Sequence, residues 1–232
     1  MFCSFLCQKD KKPMTNKTIF RGLIPFSGGI DSTAVLYSTL TKYPNDKFLV
    51  FKINLINGSS ASRTIQEIAA ADKILHNLRA RGINNFEFKS LEFNYASLGP
   101  PPVWDSEVVN YGAAICIKAY PSIYEFYEGA IADDFLQEGF FERLDLIEKI
   151  FYAISQRSKE EIKIVFPLKE KLKYEVMKLL PPEILQLTWS CRNPQGMQAD
   201  YSMVRCHKCQ PCTIINNVIK NHPNEFTVLE NW

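Results

Sequence analysis

Residues 26–33 constrain the fold of this chain more than any other segment. They read Phe-Ser-Gly-Gly-Ile-Asp-Ser-Thr, follow a short apolar run at 23–25 and precede a helical pattern at 34–40. This order predicts a strand, a glycine turn and a helix start, in which adjacent glycines let the backbone close on a ligand. The unpaired N–H groups of such a turn, together with the helix dipole, bind an anion and most often a phosphate.

The side chains of this loop suggest separate roles. Its hydroxyl groups add donors for a phosphate, whereas Asp31 would repel one. We therefore expect Asp31 to cap the helix or brace the turn, with Mg²⁺ binding as the alternative. The Gly-Lys-Ser/Thr ending of a Walker loop is absent, and a plain serine-glycine turn that opens a helix is the competing interpretation. The predicted loop residues are Phe26, Ser27, Gly28, Gly29, Ile30, Asp31, Ser32 and Thr33.

Strand and helix patterns alternate along most of the chain. Strand-like apolar runs occur at 48–54, 85–88, 124–131 and 162–166, and helical spacing occurs at 61–81, 108–119 and 141–156. This alternation predicts an α/β fold with a doubly wound, mostly parallel sheet and helices on both faces. Ligands of such sheets bind at the carboxyl ends of the strands, where the loop at Ser27, Asn54 and Asp133-Asp134 are expected. We predict an N-terminal arm (1–17), a nucleotide-binding α/β domain (18–186) and a C-terminal metal-binding segment with a helix (187–232).

Composition and charge favour a cytoplasmic protein that acts on a small molecule. The net charge is +2, and the lysines at 9–12 and 169–173 do not form a long basic stripe, which argues against a large nucleic-acid surface. The apolar start at 1–7 is too short for a signal peptide and lacks a preceding positive charge. No apolar stretch of the sequence approaches the roughly 20 residues of a membrane span.

Four of the seven cysteines lie in the C-terminal quarter. Cys191, Cys206, Cys209 and Cys212 follow the spacing C-x14-C-x2-C-x2-C, and four thiolates suit a closed tetrahedral Zn²⁺ site that is structural rather than catalytic. An iron–sulfur cluster or a redox Cys-x-x-Cys pair are the alternatives. His207 lies inside the knuckle and is expected to be a bystander, and Cys116 to pack as a small apolar residue.

The loop at 27–32 resembles the Ser-Gly-Gly-x-Asp-Ser loop of the PP-loop ATP pyrophosphatases, which hold departing pyrophosphate there. With the cysteine cluster, the chain from about Leu23 to Cys212 resembles the 7-cyano-7-deazaguanine synthase family, which contributes to queuosine biosynthesis. The resemblance extends to the segments Pro167-Leu168 with Lys173 and Glu175, Thr188-Trp189-Ser190-Cys191, and Gly129-Ala130-Ile131-Ala132-Asp133-Asp134. It implies a fold like that of the adenine nucleotide alpha hydrolases.

Three segments depart from that family. The chain has Asn54-Leu55-Ile56-Asn57-Gly58 where the family has Tyr-Gly-Gln or Tyr-Asn-Gln. It has no arginine at 103–107, where the family has Val-Pro-Gly-Arg-Asn. It also reads Phe-Leu-Gln-Glu-Gly-Phe at 135–140 in place of a Ser-Gly-Tyr-Pro-Asp-Cys-Arg run. The segments that would contact the acceptor therefore differ more than those that would contact ATP and the metal.

The resemblance implies an AMP-forming carbon–nitrogen ligase that uses ATP, Mg²⁺ and Zn²⁺. Its substrates would be a deazapurine carboxylate and ammonia or another amine, activated through an acyl adenylate, with a homodimer left open as the assembly. Ser27, Asp31, Ser32 and Lys173 are the predicted catalytic residues, and Trp104 and Asp134 are the predicted substrate-binding residues.

Four alternatives compete with this interpretation. A variant ligase could join a related carboxylate to another amine, and a non-catalytic module could bind a nucleotide or deazapurine. GMP and asparagine synthetases share the loop but carry a glutaminase partner and lack the cysteine cluster. Transfer-RNA thiolases also share the loop, but they require catalytic cysteines near the nucleotide and a basic RNA surface.

Overall fold

The computed structural model describes residues 18–56, 61–98, 105–197 and 203–229. The strands are β1 (Gly22–Pro25), β2 (Phe48–Ile56), β3 (Phe86–Asn94), β4 (Glu125–Tyr127), β5 (Lys163–Val165), β6 (Gln195–Met197) and β7 (Met203–Val204). The helices are α1 (Ile30–Lys42), α2 (Ala61–Ala80), α3 (Asp105–Ala119), α4 (Ala132–Phe135), α5 (Phe140–Ser155), α6 (Lys173–Lys178), α7 (Pro182–Leu185) and α8 (Gln210–Asn221).

Strands β1 to β5 form one parallel sheet in the order β3-β2-β1-β4-β5. The chain adds β2 and β3 on one side of β1 and then returns to add β4 and β5 on the other side. The strand order therefore reverses between β1 and β4. In doubly wound sheets, the crevice at such a reversal is where ligands bind.

Alternating side chains of the strands face two apolar layers, because successive residues of a strand point to opposite sides. In β1, Ile24 packs with α1, α2 and the helices of the C-terminal segment. Leu23 points to the opposite layer, which includes Ile117 of α3 and Phe151 of α5. Helices thus cover both faces of the sheet, as the sequence predicted.

The region after β4 differs from the strand predicted at 124–131. β4 ends at Tyr127, and α4 begins only five residues later. The Asp134 carboxylate accepts the N–H of Ile131 at 3.0 Å, which fixes a helix start where the sequence had suggested continued strand. In the opposite sense, β3 continues to Asn94, beyond its predicted end, because it pairs with β2 over nine residues.

None of the described helices is long and apolar enough to cross a membrane.

Candidate phosphate site and metal centre

The loop between β1 and α1 has the backbone geometry of an anion site. Gly28 adopts a left-handed φ of +86°, which glycine tolerates at little cost. Gly29 is the N-cap of α1, so the N–H groups of the first helical turn lack intrahelical partners. Among the described residues, no hydrogen bond uses the N–H groups of Asp31 and Ser32. These two groups are therefore available to a ligand.

The sheet and two neighbouring segments hold the loop from behind. A Cβ atom at Gly28 would lie 2.9 Å from the Ala71 nitrogen of α2, so the loop packs against that helix without room for a side chain. The carbonyl of Gly28 accepts the N–H of Trp189 at 2.9 Å. The hydroxyl of Ser190 accepts the N–H of Ile30 at 3.3 Å. Residues just before Cys191 thus contact the loop directly.

The hydroxyl groups of the loop differ in their availability. Ser27 is exposed, and its Oγ lies 3.0 Å from Ser32 Oγ. Thr33 is fully buried, and its hydroxyl donates to the Gly29 carbonyl at 2.7 Å. Thr33 therefore braces the turn and offers no hydroxyl to a phosphate, contrary to the expectation from sequence. Phe26 and Ile30 are buried in the core, so their contribution to the loop is support.

Asp31 does not cap the helix, which was one of the roles expected for it from sequence, whereas its Mg²⁺ role stays a prediction. It follows the N-cap by two positions, and its carboxylate binds Lys173 of α6, with Nζ at 2.6 and 2.7 Å from the two oxygens. The Asp31 side chain is 34% exposed at the first turn, where the lysine rather than the helix end is its partner. The pair brings Lys173 to the phosphate loop across 142 positions of sequence.

The acidic residues of α4 connect that helix to its surroundings. Asp133 accepts the backbone N–H of Lys173 at 3.2 Å, whereas Asp134 holds the start of α4. Burial raises the pKa of Asp134, against the effect of the hydrogen bond from Ile131. The geometry of Asp134 is that of a turn brace, and its role in substrate binding stays a prediction. Trp104 and Asn57-Gly58 lie outside the described residues.

A buried lysine beneath the loop was not predicted. Lys52 of β2 is 3% exposed, and its Nζ donates to the Ser27 carbonyl at 3.2 Å and lies 3.6 Å from Glu67. Burial lowers its pKa, while Glu67 acts in the opposite direction. Glu67 also binds Arg63 at 2.7 Å. A charged residue in the middle of the apolar run at 48–56 was the available signal.

A second polar group lies at the end of β4. Glu128 follows the last residue of this strand, and its N–H donates to the Val165 carbonyl at 2.8 Å. Burial raises the pKa of its carboxyl to about 6, although hydrogen bonds from Asn110 and the Gly129 backbone favour ionisation. Asn110 of α3 is 2% exposed. The polar Asn110 in an otherwise apolar helix was the signal in the sequence that could have identified this group.

The four C-terminal cysteines form the predicted cluster. The Sγ atoms of Cys191, Cys206, Cys209 and Cys212 all lie within 4.8 Å of one another. Zn–S bonds of about 2.3 Å place the sulfurs of a tetrahedral site about 3.8 Å apart, and Cys206 and Cys212 are separated by 4.0 Å. In a 4Fe-4S cluster each cysteine binds a different iron, which holds the sulfurs farther apart. This donor set therefore fits a single tetrahedral ion.

Backbone N–H groups of the knuckle surround the sulfur of Cys206. Those of Lys208 and Cys209 donate to it at 3.5 and 3.2 Å. Burial opposes ionisation, but these donors prevail and lower the pKa of Cys206 to about 6. His207 lies between Cys206 and Lys208, with a left-handed φ of 54° and an exposed side chain. It is not part of the group of four sulfur ligands. Cys116 is buried in α3, where burial raises its pKa to about 11.

No protein-family model matches the chain, and neither does any curated protein. Among solved structures, the chain is similar to the U34-tRNA thiolase NcsA from Methanococcus maripaludis, solved with its 4Fe-4S cluster. The two share 20% sequence identity with a TM-score of 0.50, over 93% of this chain and 72% of the thiolase. At this identity the likeness concerns the fold alone, and it agrees with the predicted doubly wound α/β architecture that the sheet order shows.

Proposed function

We propose that this protein is an AMP-forming, ATP-dependent carbon–nitrogen ligase of the PP-loop type. Its acceptor would be the carboxylate of a 7-deazaguanine-type base, which ammonia or another amine converts to an amide or nitrile. The observation that carries the proposal is the loop at 26–33, where free N–H groups, an exposed hydroxyl and Lys173 converge at the carboxyl end of β1. The cysteine cluster and the motifs shared with 7-cyano-7-deazaguanine synthases support it.

The loop would act by stabilising pyrophosphate as it departs. The N–H groups of Asp31 and Ser32 and the hydroxyl of Ser27 would donate to its oxygens, since preorganised donors stabilise developing negative charge. Lys173 would neutralise part of that charge while Asp31 holds its amine in position. Mg²⁺, when bound, would supply further charge neutralisation, with Asp31 as its nearest carboxylate in the loop.

The decisive experiment is an activity assay with a defined acceptor. The protein is mixed with ATP, Mg²⁺, 7-carboxy-7-deazaguanine and ammonia, and the products are identified by mass spectrometry. We expect AMP, pyrophosphate and an amidated or nitrile base. AMP formation with a different carboxylate or amine would redirect the proposal to a variant ligase. Tight ATP binding without AMP from any carboxylate–amine pair would reject catalysis in favour of a binding module.

We propose Zn²⁺ as the ion of the cysteine cluster, on the basis of the sulfur spacing. Elemental analysis is expected to give about one zinc per chain. Cys209→Ser should lose the metal because it removes a ligand. The matched variant Cys116→Ser should retain it, since Cys116 lies in the apolar layer around α3. Equal metal loss in both variants would refute the assignment.

A second candidate is sulfur transfer to tRNA, the activity named for NcsA. Its specific support is the contact of the segment 188–190 with the phosphate loop, which brings the cysteine cluster close to the nucleotide site. NcsA was solved with a 4Fe-4S cluster, and such a cluster in this chain would absorb visible light and contain iron, unlike zinc. Anaerobic purification followed by iron analysis and a tRNA thiolation assay separates the two candidates.

A further inference from the structure

A cavity of about 370 Å³ lies between α4, α6 and α8. It is lined by Asp133 of α4, the segment 172–174 at the start of α6 and one face of α8. Its volume lies within the roughly 300–1,000 Å³ that small-molecule sites occupy. None of the residues 26–33 lines it, so the cavity is distinct from the position proposed for pyrophosphate.

Lys173 connects this cavity to the phosphate loop. It lines the cavity, and its Nζ lies 2.6 Å from Asp31 Oδ1 in the first turn of α1. Its backbone N–H donates to Asp133 Oδ2 at 3.2 Å, so one residue joins the acidic wall of the cavity to the loop. A ligand that contacts this wall at Lys173 lies within the length of one lysine side chain of Asp31. The acceptor of the proposed reaction has to meet ATP from such a position.

Asp133 gives the cavity an acceptor of hydrogen bonds. Its Oδ2 accepts the Lys173 N–H, and among the described residues no hydrogen bond uses its Oδ1. An ionised carboxylate has about four lone-pair sites and no donor, so it matches a ligand edge that presents two adjacent N–H groups. A guanine-type ring has such an edge in its ring N–H and its 2-amino group. An adenine-type ring instead places an acceptor beside its amino group, and a carboxylate cannot donate to that acceptor.

Other walls of the cavity suit the face of a planar ring. Leu172 is apolar but 50% exposed, and Val218 of α8 is half-buried beside it in the lining. The rings of Tyr174 and His222 stack with their centroids 4.0 Å apart. The Tyr174 hydroxyl donates to Glu225 Oε2 at 2.7 Å, which holds the ring in place. Contact with these groups removes apolar surface from water on both the ring and the protein.

We infer that the cavity between α4, α6 and α8 binds the acceptor through a guanine-type ring, with Asp133 accepting two adjacent N–H groups of that ring. This inference rests on the proposed ligase function and locates its acceptor on the α6 side of the phosphate loop. Asp133 selects guanine-type over adenine-type rings, and Lys173 lies between the acceptor and the departing pyrophosphate. Asp134 contributes by holding the start of α4 in place.

Binding measurements test the selectivity of Asp133 without turnover. Isothermal titration calorimetry gives the Kd of 7-carboxy-7-deazaguanine and of 7-carboxy-7-deazaadenine, with Mg²⁺ and α,β-methylene-ATP present. The unmodified protein should bind the guanine-type carboxylate more tightly by about tenfold or more, and Asp133→Asn should lose this preference, because an amide replaces one acceptor oxygen by a donor. Asp145→Asn is the matched control, since Asp145 is exposed on α5, and it should keep the preference. A preference retained in Asp133→Asn would overturn the inference.

A bulky side chain in the cavity gives a second test. Asn217 lines the cavity from α8, whereas Thr213, one turn earlier on the same helix, is exposed and does not. Asn217→Trp should weaken binding of the guanine-type carboxylate by about tenfold or more, and Thr213→Trp should bind it like the unmodified protein. Neither variant should change the Kd of α,β-methylene-ATP. Unchanged acceptor affinity in Asn217→Trp would contradict the location of the site.

The outcomes separate this inference from the proposed function. Acceptor binding that depends on Asp133 and Asn217, without AMP formation in the activity assay, would support the site and reject the ligase. AMP formation with a carboxylate whose binding neither variant affects would support the ligase and overturn the site. Failure of the unmodified protein to bind the guanine-type carboxylate would also overturn the inference.

Discussion

Lys52 is a single residue on which the position of the phosphate loop depends. Its amine donates to the Ser27 carbonyl from within the sheet, so the peptide between Ser27 and Gly28 is held with its carbonyl turned away from the ligand side. Glu67 retains Arg63 as a partner when the lysine is absent. The effect of removing Lys52 should therefore concentrate on the loop.

We expect Lys52→Met to weaken ATP binding by about tenfold, because the Ser27 carbonyl loses a charged donor. Isothermal titration calorimetry with a non-hydrolysable ATP analogue measures the change. Lys149→Met is the control, since Lys149 lies on the exposed surface of α5. This variant should bind the ATP analogue with the same affinity as the unmodified protein. Unchanged affinity in Lys52→Met would show that the loop holds its position without the lysine.

Glu128 gives a prediction about stability and pH. Burial raises the pKa of its carboxyl from 4.5 to about 6, so the folded protein favours the protonated form. The corresponding stability is present below about pH 4.5 and is lost as the pH rises through about 6. Glutamine resembles the protonated acid. At pH 7.5, Glu128→Gln should therefore be more stable by up to about 2 kcal/mol.

Urea unfolding at pH 7.5 and pH 4.5 tests this difference. The two proteins should differ by only about 0.4 kcal/mol in free energy of unfolding at the lower pH, where Glu128 is protonated in nearly all folded molecules and in about half of the unfolded ones. The same comparison with Glu142→Gln, whose carboxyl is exposed, should show no advantage at either pH. A variant that is less stable than the unmodified protein at pH 7.5 would contradict the prediction.

At the scale of elements, α1 and α6 meet through Asp31 and Lys173. The lysine side chain is 11% exposed and the aspartate side chain 34%, so solvent screens the pair only in part. A double-mutant cycle with Asp31→Asn and Lys173→Met should give a coupling free energy of about 1 kcal/mol in thermal unfolding. The exposed pair Asp145 and Lys149 of α5 is the control, with coupling near zero.

The same cycle predicts an asymmetry in ATP binding. Lys173→Met leaves the Asp31 carboxylate unpaired beside the phosphates, so affinity should fall by about tenfold or more. Asp31→Asn in that background removes the unpaired negative charge and should restore part of the affinity. Calorimetry on all four proteins measures this effect. A double variant weaker than Lys173→Met would instead favour Asp31 as a Mg²⁺ ligand.

The sequence predicted elements where local periodicity determines them. The strand–turn–helix at 22–42 and the helices α2, α3 and α5 follow from apolar spacing and glycines within a few residues. The ends of β3 and β4 did not follow, because they depend on pairing with β2 and on the capping of α4 by Asp134. The partners of Asp31, Lys52 and Glu128 are likewise distant in sequence, so no local pattern could identify them.

At the scale of the whole molecule, the metal centre belongs to the main core. Cys191, Cys206 and Cys212 are buried in the apolar layer that also contains Ile24 of β1 and Ile74 of α2. The predicted division of the chain at 186/187 stays a prediction, but the C-terminal segment packs against the same layer as α1. Loss of the metal should therefore affect the entire fold.

We expect a strong zinc chelator to lower the melting temperature of the whole protein in a single transition. Removal of the ion leaves four sulfurs close together in a buried site, and structural zinc contributes directly to folding. Differential scanning calorimetry with and without chelator measures the shift, and Cys209→Ser should show the lower temperature without chelator. Two separate transitions would indicate that the metal segment unfolds independently of the sheet.

The hydrogen bond from Trp189 to the Gly28 carbonyl joins the metal segment to the phosphate loop. Thermodynamic linkage makes any coupling between the two sites reciprocal: if metal binding strengthens nucleotide affinity by some factor, nucleotide strengthens metal affinity by the same factor. If the coupling is positive, saturating ATP should slow the transfer of the metal to a chelator. At low ATP concentration the protein would then release its metal more readily, so the occupancy of the metal site would depend on the ATP concentration.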